Sequence, residues 1–177
     1  FDRWSLESSR EKEARAKDVI RRQMTCIVGR RGSRQAAAVV DIADAGLQTP
    51  GEAYVWWLLQ CMLPEAVCDE LVTQCPVELE GRMYFPDAAL PGRKVSFEFD
   101  GFAKIPENER EFLSRQRAFL GAGWIPIRVD QKQLDNLDVL IAYLLRELRG
   151  TGIAAHYPRG PLWKPLTREL LDPRRRF

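Results

Sequence analysis

A mixed α/β domain is predicted by three observations. They are a strong helix-start signal at Thr49-Pro50-Gly51-Glu52, short extended runs split by turn residues after it, and an amphipathic helix behind a last apolar strand. The order read over 33–149 is helix, three strands, helix, strand, helix, a mixed four-stranded sheet flanked by helices. The 177 residues, 45% apolar and 29% charged, suffice for one core and exclude a disordered or collagen-like chain. Apolar runs fall far short of the roughly 20 residues a bilayer span requires. Phe1-Asp2-Arg3-Trp4 does not read as a secretion signal, so a cytoplasmic protein without membrane contact is expected.

The elements follow in order. Residues 1–32 are expected to form a polar surface helix, centred on Ser8 to Arg22, and a linker. Because the stretch opens on Phe rather than Met, it reads either as renumbered or as a fragment behind an upstream domain. Ser33 is expected to cap a helix running to about Ala45 and closed by Gly46. Thr49 then caps a helix to about Met62 that buries Val55, Trp56, Leu58 and Leu59, with Pro50 at its first position and Glu52 as the capping-box carboxylate.

Strands are expected at Leu71 to Leu79, Arg82 to Ala89 and Lys94 to Phe99, with turns at Glu80-Gly81 and Pro91-Gly92. A helix from about Pro106 to Ala122 should bury Phe112, Phe119 and Leu120 and hold Arg110, Arg115 and Arg117 outside. Trp124 to Val129 is the fourth strand, and Leu134 to Leu148 the helix that covers the sheet. Residues 150–177, rich in Pro and ending near Arg174-Arg175-Arg176, read as an extended basic tail.

Cys26, Cys61, Cys68 and Cys75 form no C-x-x-C pair, and His156 is the single histidine, so no zinc-ligand spacing exists. Reduced, mostly buried thiols are expected. The tryptophans Trp56, Trp57 and Trp124 are expected in the core. Net charge is +2, but residues 36–107 hold 12 acidic and 4 basic side chains between basic flanks. An acidic centre inside basic surroundings suits carboxylates gathered around a cation beside a bound polyanion, and equally suits a solvated acidic face.

Asp87 is expected within the second strand, where a buried carboxylate needs compensation. Glu98 and Asp100 share one face of the third strand, about 7 Å apart by the two-residue rise. Neighbouring acids of this kind repel unless a proton or a hard divalent cation is shared among them. Lys104, just beyond Asp100-Gly101, can present an ammonium to the same place.

At these residues the sequence resembles the PD-(D/E)XK, or restriction-endonuclease-like, nucleases. It is most similar to the bacterial branch related to very-short-patch-repair endonucleases, also found behind a winged-helix module in AbiEi-type antitoxin-like proteins. The resemblance rests on Thr49-Pro50-Gly51-Glu52, on Tyr84-Phe85-Pro86-Asp87, on Val95 to Lys104 with its Glu98-Phe99-Asp100-Gly101, and on Leu120-Gly121-Ala122-Gly123-Trp124 leading to Arg128-Val129. It implies an αβββαβ restriction-endonuclease-like core over 33–149. Mg²⁺ or Mn²⁺ is implied at Asp87, Glu98 and Asp100, with Glu52 and Lys104 as further catalytic groups. Asp100 stands where the superfamily signature has a lysine, and Lys104 where many relatives carry a histidine. The implied activity is hydrolysis of DNA phosphodiesters, in repair, restriction or phage defence, with Arg110, Arg115 and Arg117 on the DNA backbone. An upstream winged-helix domain is the implied neighbour. Glu52 is equally explained by its cap. A nuclease-like DNA-binding or regulatory module that no longer cuts is the competing expectation, and a plain protein-interaction domain a third.

Overall fold

The computed structural model describes residues 3–30, 32–101 and 109–163. Lys104 therefore lies outside the described residues, as does the side chain of Arg110. Helix α1 (Arg3–Met24) is polar and largely exposed. It grips the body of the domain: Arg10 donates to the Thr73 carbonyl and hydroxyl, and Lys17 and Glu13 reach backbone groups of Ala43 and Ala45.

Helix α2 (Ser33–Ile42) begins with Ser33 inside it, and Gly32, at φ 87°, stands at the cap position expected for Ser33. It also stops three residues short of Ala45. Helix α3 (Pro50–Met62) starts as expected, the Thr49 hydroxyl accepting the Glu52 N–H. Val55, Trp56, Leu58 and Leu59 are all buried. Helix α4 (Glu65–Cys68), a single turn after Pro64, is an element that sequence reasoning missed.

Two of the expected strands are each cut in half. The run 71–79 divides into β1 (Val72–Thr73) and β2 (Val77–Leu79) because Gln74 takes a left-handed backbone, φ 47°, and Pro76 follows it. The run 82–89 divides into β3 (Arg82–Tyr84) and β4 (Ala88–Leu90) at Pro86, which has no N–H for a ladder. Asp87 thus stands at the mouth of β4 and not inside a strand. Strands β2 and β3 pair as a separate two-stranded ribbon, turning at Glu80 and Gly81 with φ 51° and 74°.

The main sheet has the order β1-β4-β5-β6, where β5 is Val95–Asp100 and β6 is Ile125–Asp130. Strands β4 and β5 are antiparallel, β5 and β6 parallel, so the sheet is mixed and four-stranded as expected. Helix α5 (Glu109–Gly121) makes the crossover between β5 and β6. The final helix expected over 134–148 is split into α6 (Gln131–Leu134) and α7 (Leu137–Gly150), because Asp130 and Asn136 each cap a new start.

Side chains of α3 and α7 cover one sheet face with the larger core, including Val95, Phe97, Ile127 and Val129. The other face holds a smaller cluster in which Phe119 of α5 meets Ala89, Trp124 and the ribbon residues Val77 and Leu79. Phe112 and Leu120, expected in the core, are 41% and 55% exposed: α5 touches the sheet through its Ala118–Phe119 side instead. Beyond α7 the chain wraps the domain. The His156 and Arg159 N–H groups donate to Met62 and Cys61 at the end of α3, and Trp163 stacks on a half-buried Trp57. Among the described residues no helix is long and apolar enough to cross a membrane.

All four cysteines are free, but Cys61 alone is buried, Cys68 and Cys75 are half-buried and Cys26 is exposed. Burial pushes the Cys61 thiol up to about 12, with Cys68 adding to the effect. The folded chain therefore keeps a proton that the unfolded chain releases near pH 9, so stability present at neutral pH is lost as pH rises from there toward 12. Urea unfolding at pH 8 and pH 10 should show a loss about 1 kcal/mol smaller in Cys61→Ala than in the parent chain.

Candidate functional site

The site forms where β4 and β5 meet the first turn of α3. Ala88 pairs with Phe97, which brings Asp87 to the strand mouth opposite Glu98. Pro50-Gly51 starts α3 against the same end of β5, and Gly51 lies so close to the Phe99 ring that an added Cβ would overlap it. Glu52, Asp87 and Glu98, from three elements, consequently line one recess together with Trp56, Phe97 and Phe99. It is small, with room for about one water molecule. Gly51→Ala is expected to cost about 1–3 kcal/mol through overpacking against Phe99. A change below 0.5 kcal/mol in chemical denaturation, on the order of an ordinary surface substitution, would contradict this close approach.

Each acid has a different environment. Both carboxylate oxygens of Glu52 serve the helix start, accepting from the Gln48 N–H at 2.7 Å and the Thr49 hydroxyl at 2.9 Å. Its capping role is thus fully occupied. Asp87 Oδ2 accepts the Phe99 N–H at 2.7 Å, which ties the mouth of β4 to β5. Glu98 is 4% exposed and opposed by two guanidiniums: Arg115 Nη2 lies 2.6 Å from Oε1 and Arg128 Nη1 2.9 Å from Oε2. The second approach is close but poorly aligned, so Oε2 is buried without a hydrogen bond. Asp100 takes a two-pronged contact from Arg128, whose Nε and Nη2 donate to its two oxygens at 2.8 Å each.

These pairings correct one sequence expectation and add one residue to the site. Arg115 does not lie on the outer side of α5 as expected, because the helical phase of α5 turns it inward onto the sheet face that carries Glu98. Its guanidinium lies 5.8 and 5.7 Å from the Tyr84 and Phe119 ring centres. Arg117 does face solvent, as expected. Arg128 is the site residue that sequence reasoning missed. Parallel pairing sets it directly beside Glu98, Phe112 covers its guanidinium at 4.3 Å, and Tyr143 donates its hydroxyl to the Arg128 carbonyl. The signal was available: a lone cation in an apolar strand, Ile125 to Val129, needs an acid on the neighbouring strand.

No family model, curated protein or solved structure matches the chain. The site's chemistry must therefore be judged on its own donors. Among the described residues, no group of three or more His, Cys, Asp or Glu side chains could hold a metal ion. Mg²⁺, however, is ordinarily held by one or two carboxylates plus waters and substrate phosphate oxygens, and not by an all-protein cage. Asp87 and Glu98 are oxygen donors of that kind, but the recess they flank is lined mainly by apolar surface and both Glu98 oxygens face guanidiniums. Arg115 and Arg128 meet the charge of Glu98 in the arrangement described.

Proposed function

We propose that this chain is a divalent-metal-dependent DNA endonuclease of the restriction-endonuclease-like type, hydrolysing phosphodiester bonds. The observation that carries it is the meeting of Asp87, at the mouth of β4, and Glu98, on β5, beside the helix start that holds Glu52. Bound Mg²⁺ or Mn²⁺ would supply Lewis-acid polarisation of the phosphate and a more acidic water. Asp87 and Glu98 are the ligands in this proposal. Asp100 leaves the implied ligand set, since it holds Arg128 in place.

The chain's own groups do the rest. Asp87 is oriented by the Phe99 N–H and Glu52 by the α3 cap, so neither carboxylate needs to reorganise. Arg115 and Arg128 place positive charge beside the scissile position, where a phosphate gains charge on the way to its transition state. Arg117, and Arg110 and Lys104 outside the described side chains, complete the proposed contacts to the DNA backbone and the attacking water.

One observation favours a second function. A Glu98 already paired with two arginines suits a nuclease-like DNA-binding or regulatory module that does not cut. Incubating supercoiled plasmid with the chain and Mg²⁺ or Mn²⁺ separates the two. Metal-dependent nicking that EDTA abolishes is the expected result. DNA binding with no nicking at any metal concentration would establish the non-cutting module instead.

A further inference from the structure

We infer that the tip of the hairpin formed by α1 and α2 is a contact surface for the phosphate backbone of double-stranded DNA, separate from the recess. This rests on the reading above only in naming DNA as the partner, which its cutting and non-cutting forms share. The hairpin's cations fall into two sets. Arg10, Lys17 and Arg21 hold it to the body and its helices to each other, through Thr73, the Asp41 and Ala43 carbonyls and the Asp41 carboxylate. Arg22, Arg30 and Arg34 are exposed, and among the described residues none of their guanidiniums has an ion pair or a hydrogen bond.

Tight turns bring these three cations to one end. The Ile27 carbonyl accepts the Arg30 N–H at 3.0 Å and the Arg30 carbonyl accepts the Ser33 N–H at 3.1 Å, so two turns follow each other directly. Gly29 and Gly32, at φ 81° and 87°, supply the left-handed backbone that such turns require. Arg22 lies in the last turn of α1, where its charge suits the helix dipole. Arg34 lies in the first turn of α2, where the dipole opposes a cation and no acidic residue compensates it. Local structure therefore leaves positive charge unanswered at this tip, and the forked guanidiniums match phosphate oxygens. Residues 36–107, with 12 acidic and 4 basic side chains, would repel the same polyanion, so the hairpin is where it gains attraction.

Fluorescence anisotropy of a labelled random-sequence duplex, titrated with the full chain in EDTA, tests the contact without any cleavage. Between roughly 50 and 200 mM salt each neutralised phosphate weakens binding about 3–4-fold. Over that range the parent should therefore lose about 30–60-fold more affinity than Arg22→Gln/Arg30→Gln/Arg34→Gln. Arg82→Gln/Arg93→Gln, which removes two exposed cations on β3 and on the turn before β5, should keep the parent's salt dependence. Cys26, exposed in the single turn Thr25–Ile27 at the same tip, gives a second readout. Bound duplex should slow its alkylation by iodoacetamide in the parent, a measurement that decides the matter even if the triple variant does not fold.

Equal salt dependence in the parent and the triple variant, with Cys26 alkylated as fast in the complex as in the free chain, would overturn the contact while leaving DNA binding elsewhere intact. No duplex binding by the parent at low salt would instead remove DNA as the partner, and with it the reading above.

Discussion

Asp87→Asn is expected to lower metal-dependent DNA cleavage by about 10²–10³-fold, equivalent to roughly 3–4 kcal/mol of lost transition-state stabilisation. Asparagine is nearly isosteric, and its amide oxygen can still accept the Phe99 N–H that Asp87 takes at 2.7 Å. The fold should therefore survive while the negative charge disappears. That separation makes the variant informative: thermal unfolding should move by only a few degrees while nicking of supercoiled plasmid collapses. Glu98→Gln should lose cleavage to a similar degree, but with a larger stability change because two guanidiniums lose their partner. Nicking that remains at the parent rate in Asp87→Asn would remove Asp87 from the chemistry.

Arg128→Met should cost about 3–5 kcal/mol of stability, the range for breaking a buried ion pair from one side. The physical cause is that Glu98, 4% exposed, and Asp100 keep their charges while losing the cation that joins them. Methionine fills similar space under Phe112, so little of the loss arises from packing. For a chain of this length the expected fall in Tm is roughly 6–20 °C. The double variant Arg128→Met/Glu98→Gln should recover part of it, because Glu98, left with Arg115 alone, then no longer carries a charge. A single-variant cost under about 1 kcal/mol would mean that the pair behaves as a solvated surface bridge.

Much of the scaffold is legible in local chemistry. Thr49-Pro50-Gly51-Glu52 marks a helix start through its own hydrogen bonds, and the structure forms it at that position. The apolar face of 137–148 likewise fixes which side meets the core, whereas β5 is covered on both faces from Val95 to Glu98. Breaks within the strands were harder to read. Gln74 adopts a left-handed backbone that no local rule assigns to glutamine, and its N–H is satisfied by the Asp87 carbonyl, a partner distant in sequence.

Which acids approach one another follows partly from strand alternation, but what neutralises them does not. Arg115 and Arg117 are two residues apart on one helix and look alike in sequence. The docking angle of α5 turns one onto Glu98 and leaves the other in solvent. Arg128 acquires its partners from a parallel pairing across the α5 crossover. By itself the sequence determined the element types, the helix caps and the acidic character of the strand ends, because these depend on groups within a few residues. The tertiary structure alone decided the charge pairing, because a buried carboxylate takes whichever cation the packing of distant elements delivers.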